Sequence, residues 1–109
     1  MKVSELAEKA GLAPLNPLYD REIHGVFISD MVSDIVAGAG AGNLLVKIQT
    51  HKNLIASANL ADVAAIVYVR DKRPQPDVVE LADRVKITLL TTALDAWKMA
   101  LTLRDLGLE

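Results

Sequence analysis

From residue 23 onward the chain alternates between short aliphatic runs and amphipathic stretches, and this alternation constrains the fold more than any other feature. IHGVFIS (23–29), NLLVKIQ (43–49), AAIVYV (64–69) and KITLLT (86–91) have the length and β-branched content of strands. SDMVSDIVAG (29–38), NLIASANLAD (53–62), DVVELADRV (77–85) and TALDAWKMALTLRDLG (92–107) carry helical periodicity. AGAGN (39–43) and the polar RDKRPQPD (70–77) read as loops. Strands that alternate with helices over short connections predict an α/β domain, a three-layer α/β/α sandwich with a mostly parallel four-stranded sheet and right-handed crossovers.

Residues 1–109 make one domain, large enough for a single core and too short for two. Hydrophobic residues supply 51% of the chain and aromatics only 4%, so the core must be built from Val, Leu, Ile and Ala. Such a core suits strands buried on both faces. A net charge of −2 with the signs interspersed provides no basic surface for nucleic acid or an anionic membrane. Cysteine is absent, which removes disulfides, thiolate metal ligands and thiol catalysis. No apolar run approaches the ~20 residues of a membrane span, and MKVSELAEK lacks the apolar stretch of a signal peptide. The expected location is the cytoplasm.

VSELAEKAGL predicts a short N-terminal helix, capped by Ser4 and stopped by Gly11. ELAEKAGL is also a common opening of a helix-turn-helix. No recognition helix follows it, because the next residues, APLNPLYD, contain two prolines. Asp77 and Glu80 have capping-box spacing at the start of their helix. On the last helix Asp95, Lys98, Thr102 and Asp105 share one narrow face. Leu94, Trp97, Met99, Leu101, Leu103 and Leu106 spread over more than half the circumference. A surface helix needs an apolar stripe of only about a third. The excess is covered either by the N-terminal helix or by a second copy, which makes a homodimer through the C-terminal helix one expectation.

In an open parallel sheet, ligands sit outside the carboxyl ends of the strands. That edge places Asp30, Gln49, Thr50, His51, Asn53 and Thr92 together as candidate ligand-binding residues. His51 is the candidate for proton transfer by its imidazole chemistry, and Asp30 at the neighbouring strand end is its expected partner. The alternative is structural: Asn53 caps the helix that begins at Leu54, while Thr50 and His51 satisfy turn backbone groups. AGAGAGN (37–43) is not a phosphate loop, since it leads into a strand and lacks the Lys-Ser/Thr of that motif. His24 and His51 are the only histidines and share no ligand spacing with a carboxylate, so no metal site and no cofactor are expected. Arg70-Asp71-Lys72-Arg73 reads as a solvated loop placed where it could attract an anion.

Asp20-Arg21, Gly25, the strand, Ser29-Asp30 and the helix after it resemble the opening of a DRTGG domain. The likeness runs on through IQTHKNLIASA, AAIVYV, the loop holding Pro74 and Pro76, and ITLLTT. Glu22-Ile23-His24 stands where the family has Thr and Gly. The resemblance implies an α/β/α accessory domain, similar to the N-terminal domain of HPr kinase/phosphorylase, in which catalysis belongs to other domains. It implies a non-catalytic regulatory or ligand-sensing module, acting as a homodimer on a small polar or nucleotide-like ligand. The second reading, motivated by the apolar excess of the last helix, is a protein-interaction module without a small-molecule site that docks through that helix on a redox enzyme (iron–sulfur or hydrogenase type) or a kinase. Asp20 and Arg21 are expected to clamp the loop entering the first strand by charge-assisted hydrogen bonds.

Overall fold

The computed structural model describes all 109 residues. Helix α1 (Val3–Ala10) precedes a two-residue strand β1 (Ala13–Pro14); then follow β2 (Val26–Ile28), α2 (Val32–Gly38), β3 (Leu44–Lys47), α3 (Asn53–Ala61), β4 (Ala65–Tyr68), α4 (Pro76–Arg84), β5 (Thr88–Thr91) and α5 (Ala96–Asp105). The sheet has five strands in the order β1-β5-β4-β3-β2. β2 to β5 are parallel, while β1 runs antiparallel to β5 with Ala13 opposite Thr91. The sheet is therefore mixed, and the expected four-stranded count is corrected to five. β1 escapes the periodicity reading because it is two residues long and contains Pro14, which is tolerated only at a sheet edge.

Four consecutive parallel strands in sequential order force their crossover helices onto one face. One core cluster accordingly joins Ile35 of α2, Leu54, Ile55 and Ala58 of α3, and Val78 and Ala82 of α4 to Leu45, Ile66 and Leu89 of the sheet. The opposite face is covered by α1 and α5, whose Leu6, Met99 and Leu103 pack on Leu44, Val46, Val67 and Leu90. All four residues of β3, β4 and β5 are buried, as expected for strands enclosed on both faces.

Several element boundaries differ from the sequence expectation, each for a local reason. α2 starts at Val32 instead of Ser29, because the Asp30 carboxylate accepts the Ile48 and Gln49 N–H groups at 2.9 and 2.7 Å. Gly25 (φ +83°) separates Ile23 and His24 from β2. Ser4 does not cap α1. Its N–H and hydroxyl both donate to Asp20, at 3.0 and 2.9 Å, so the cap comes from sixteen residues away. Gly11 does stop α1 in the left-handed conformation. α4 opens with Pro76 at its first turn and Gln75 before it, and no Asp77 capping box forms. α5 begins four residues later than expected, at the Asp95 cap, whose carboxylate accepts the Lys98 N–H at 2.8 Å.

The apolar excess of α5 is largely absorbed. Met99 and Leu103 are buried, Leu94, Leu101 and Leu106 are half-buried, and only Trp97 stays well exposed, at 70%. α1 shares its core cluster. The larger exposed apolar surface lies elsewhere, at Ile28 on the edge strand β2 and at Met31, Val32 and Val36 on and beside α2.

Candidate functional site

Asp20 and Arg21 point to opposite ends of two helices. Asp20 accepts the N–H of Ser4 in the first turn of α1. The Arg21 guanidinium donates to the carbonyl of Val63 at 2.9 Å and pairs with Asp62 at 3.1 Å, just past the end of α3. An anion at a helix N-terminus and a cation at a C-terminus both match the helix dipole. The Ser4 hydrogen bonds hold the Asp20 carboxyl below the usual carboxylate range. Their contacts are those of a clamp around the entering loop, in the manner expected for the pair.

The carboxyl ends of the parallel strands carry two adjoining depressions. α2, α3 and α4 leave the strands toward one face, while α5 leaves β5 toward the other. The connections after β4 and β5 therefore diverge, which opens room over the strand ends, as at a topological switch point. The more apolar depression, of about 330 Å³, is lined by Ile28, Ile48, Val69, Ala96 and Trp97 together with the polar Asp30, Lys47, Arg70 and Asp95. The second, also about 330 Å³, is lined by Ile48, Gln49, Thr50, Lys72 and Arg73. Ile48 belongs to both.

Lys47 is the chemically unusual member. It sits at the end of β3 with 1% of its surface exposed. Its ammonium donates to the Gln49 carbonyl and lies 3.4 Å from the Asp30 carboxylate. The Tyr68 ring is 5.6 Å below it, within cation–π range. Burial pushes the Lys47 ammonium down to about 8 against the opposing pull of Asp30. The same burial pushes the Tyr68 hydroxyl up.

Arg70 and Asp71 carry the second unusual feature, φ values of +56° and +59°. Together with the Lys72 N–H to Val69 carbonyl bond at 3.2 Å, they have the positive φ at both central positions that a type I′ turn demands, without the usual Asn or Gly. The turn is locked by the next loop: Arg70 N–H bonds the Leu94 carbonyl at 2.8 Å, and Asp71 N–H the Thr92 carbonyl at 2.7 Å. Strain held in this way clusters at ligand sites.

The sequence-predicted residues divide. Asp30 lines the apolar cleft, and Gln49 and Thr50 line the second depression. His51 and Asn53 are exposed and line neither. Asn53 is the first residue of α3 and not its cap; Lys52 holds that position, with no side-chain cap bond. Thr92 is 7% exposed and turns inward, its hydroxyl accepting the Leu94 N–H at 3.3 Å. The expected Asp30–His51 pairing is absent, because the Asp30 carboxylate is spent on Ile48, Gln49 and Lys47. No three His, Cys, Asp or Glu side chains come close enough to hold a metal ion. No helix is long and apolar enough to cross a membrane.

Neither a family model nor a curated relative matches this chain. The fold does match a solved structure. It is similar to the CBS and DRTGG domains of the regulatory region of Clostridium perfringens pyrophosphatase, complexed with the activator diadenosine tetraphosphate. The TM-score is 0.74 at 14% identity, over 93% of this chain and 45% of that one. At that identity the likeness is one of fold. This chain spans less than half of the neighbour, whose described region also contains CBS domains.

Proposed function

We propose that this protein is a DRTGG-like, non-catalytic ligand-sensing module whose ligand lies at the carboxyl ends of the parallel strands. The observation that carries the reading is the cleft between Ile28, Ile48, Val69 and Trp97, an apolar wall with Asp30, Arg70 and Asp95 at its rim. Its volume, about 330 Å³, is in the range of small-ligand pockets, and a few convergent polar groups on an apolar lining are their usual composition. An exposed Trp on that wall supplies a stacking surface for a planar ring. The regulatory role of the fold neighbour supports a sensor over an enzyme.

The test is a thermal-shift panel of nucleosides, nucleotides and sugar phosphates on the native protein and on Trp97→Ala. A ligand at one hundred times its dissociation constant adds about 2.7 kcal/mol of stability. The reading expects at least one stabilising compound whose effect Trp97→Ala abolishes. Silence across the panel, or a shift indifferent to Trp97, counts against it.

In this reading the module works as a homodimer, and the apolar surface available for it is the β2–α2 edge more than α5. β2 ends the sheet with no partner on its outer side, and Ile28, Met31, Val32 and Val36 surround that edge. A second copy related by a twofold axis would meet the same patch, an isologous contact that continues the sheet. Sedimentation at high micromolar concentration tests it. A dimer dispersed by Val36→Glu supports this seam. A strict monomer removes it and favours the second reading, a module that docks on a redox enzyme or kinase.

A further inference from the structure

We propose that the two depressions at the strand ends form one bipartite site for a nucleoside phosphate, with the base in the apolar cleft and the phosphates between Gln49, Thr50, Lys72 and Arg73. The inference rests on the ligand-sensing reading above and adds the class of ligand and its orientation.

Contiguity is the first argument. Ile48 lines both depressions, so the two adjoin at this residue. The turn after β4 does the same from the other side: Val69 and Arg70 line one depression, while Lys72 and Arg73, on the same turn and just past it, line the other.

Charge segregation is the second. The apolar cleft is lined by two carboxylates, Asp30 and Asp95, and two cations, Lys47 and Arg70, so its charges balance. Its buried cation, Lys47, is already bound to Asp30 and to the Gln49 carbonyl. Asp95 also caps the N-terminus of α5 by accepting the Lys98 N–H, so that terminus already has an anion beside it. A phosphate meets no net positive charge on such a wall. A neutral ring that stacks on Trp97 and donates an amino group to a rim carboxylate is well matched.

The second depression has the opposite character. No carboxylate lines it, and Lys72, Arg73, the Gln49 amide and the Thr50 hydroxyl can all donate. Asp71, 3.8 Å from Arg73, holds that guanidinium at the rim without entering the lining. Arginine and lysine together supply the charge-assisted bonds that phosphate oxygens accept most strongly. A molecule with an uncharged planar end and an anionic end meets both chemistries at once.

Trp97 is the only tryptophan, so its emission reports the cleft alone. The experiment titrates the protein with adenosine, adenosine monophosphate and adenosine triphosphate, and with the guanine series, following Trp97 quenching. Each titration is repeated on the Lys72→Ala/Arg73→Ala double variant. Both residues are exposed, so the fold is not at stake, and circular dichroism verifies it. The proposal expects dissociation constants to fall at least tenfold from nucleoside to triphosphate in the native protein, with that gain lost in the double variant and nucleoside binding unchanged. Quenching by nucleosides with no gain from phosphate overturns the bipartite site and leaves the cleft reading standing. A gain that survives in the double variant overturns the phosphate placement. No quenching by any member overturns the proposal, and with a silent thermal-shift panel it overturns the ligand-sensing reading too.

Discussion

The Lys47 ammonium and the Asp30 carboxylate, seventeen residues apart in the chain, meet at 3.4 Å beneath the cleft. Asp30 is the hub of this contact: one oxygen takes the Ile48 and Gln49 N–H groups and faces the Lys47 ammonium. It thereby ties the loop after β2 to the end of β3 and sets the position of both cleft walls.

The depressed Lys47 ammonium makes stability depend on pH in a defined window. Its folded value, about 8, lies below the ordinary lysine value of 10.5. Between the two the unfolded chain binds the extra proton, so the stability of the native state rises with pH across that interval. The rise is up to about 3 kcal/mol. Lys47→Met, which fills similar volume without a charge, is expected to lack this rise. Denaturant unfolding of both proteins from pH 7 to pH 10.5 measures it, and parallel curves would refute the effect.

The Arg70–Asp71 turn predicts a trade between stability and binding. Arg70→Gly relieves a left-handed conformation that costs an ordinary side chain roughly 1–2 kcal/mol, against a glycine entropy penalty of about 0.5–1 kcal/mol. The variant should be more stable by about 0.5–1 kcal/mol, seen as a higher urea midpoint at unchanged slope. It should also bind any cleft ligand more weakly, since the Arg70 side chain lines the cleft. A variant less stable than the native protein would show that the turn is unstrained.

Asp20 predicts the acid limb of the stability curve. Hydrogen bonds from Ser4 keep its folded pKa below the ordinary value. The stabilisation is therefore complete above the unfolded pKa and is lost as pH falls through the folded one. Asp20→Asn should lower Tm at neutral pH and flatten the decline toward pH 3. Thermal scans at pH 3 and pH 7 check both halves, and an Asp20→Asn protein with the native pH dependence would show that another carboxylate dominates.

Gly38 sets how closely α2 lies on the sheet. A Cβ placed there would come within 2.8 Å of the Phe27 ring. Gly38→Ala is expected to destabilise by about 1–3 kcal/mol, the usual cost of overpacking. A Gly38→Ala protein as stable as the native one, by chemical unfolding, would show that Phe27 has room to turn.

The four parallel strands and the helices between them were legible because each strand is a β-branched run bounded by polar turns. What escaped was set by contacts between distant residues. Asp20 caps a helix sixteen positions earlier, and no local capping signal marks it. β1 exists only by pairing with β5. The strand-end depressions were readable as a candidate place, since Asp30 lines one of them and Gln49 and Thr50 the other. His51 drew attention by its chemistry, yet it faces solvent. Lys47 passed as an ordinary strand end, although a lone lysine inside NLLVKIQ was the available signal. Trp97 reads in the sequence as part of the apolar excess of the last helix, and only the divergence of α4 and α5 to opposite faces brings it beside Ile28 and Val69.

Chemical-shift mapping tests the central claim most directly. The native protein, labelled with nitrogen-15, is titrated with adenosine and with adenosine triphosphate. The account predicts perturbed resonances at the Trp97 indole N–H and at the amides of Ile28, Ile48, Val69 and Arg70, extended by the triphosphate to Gln49, Thr50, Lys72 and Arg73. Perturbations confined to residues away from the strand ends, or a spectrum unchanged at millimolar ligand, would contradict it.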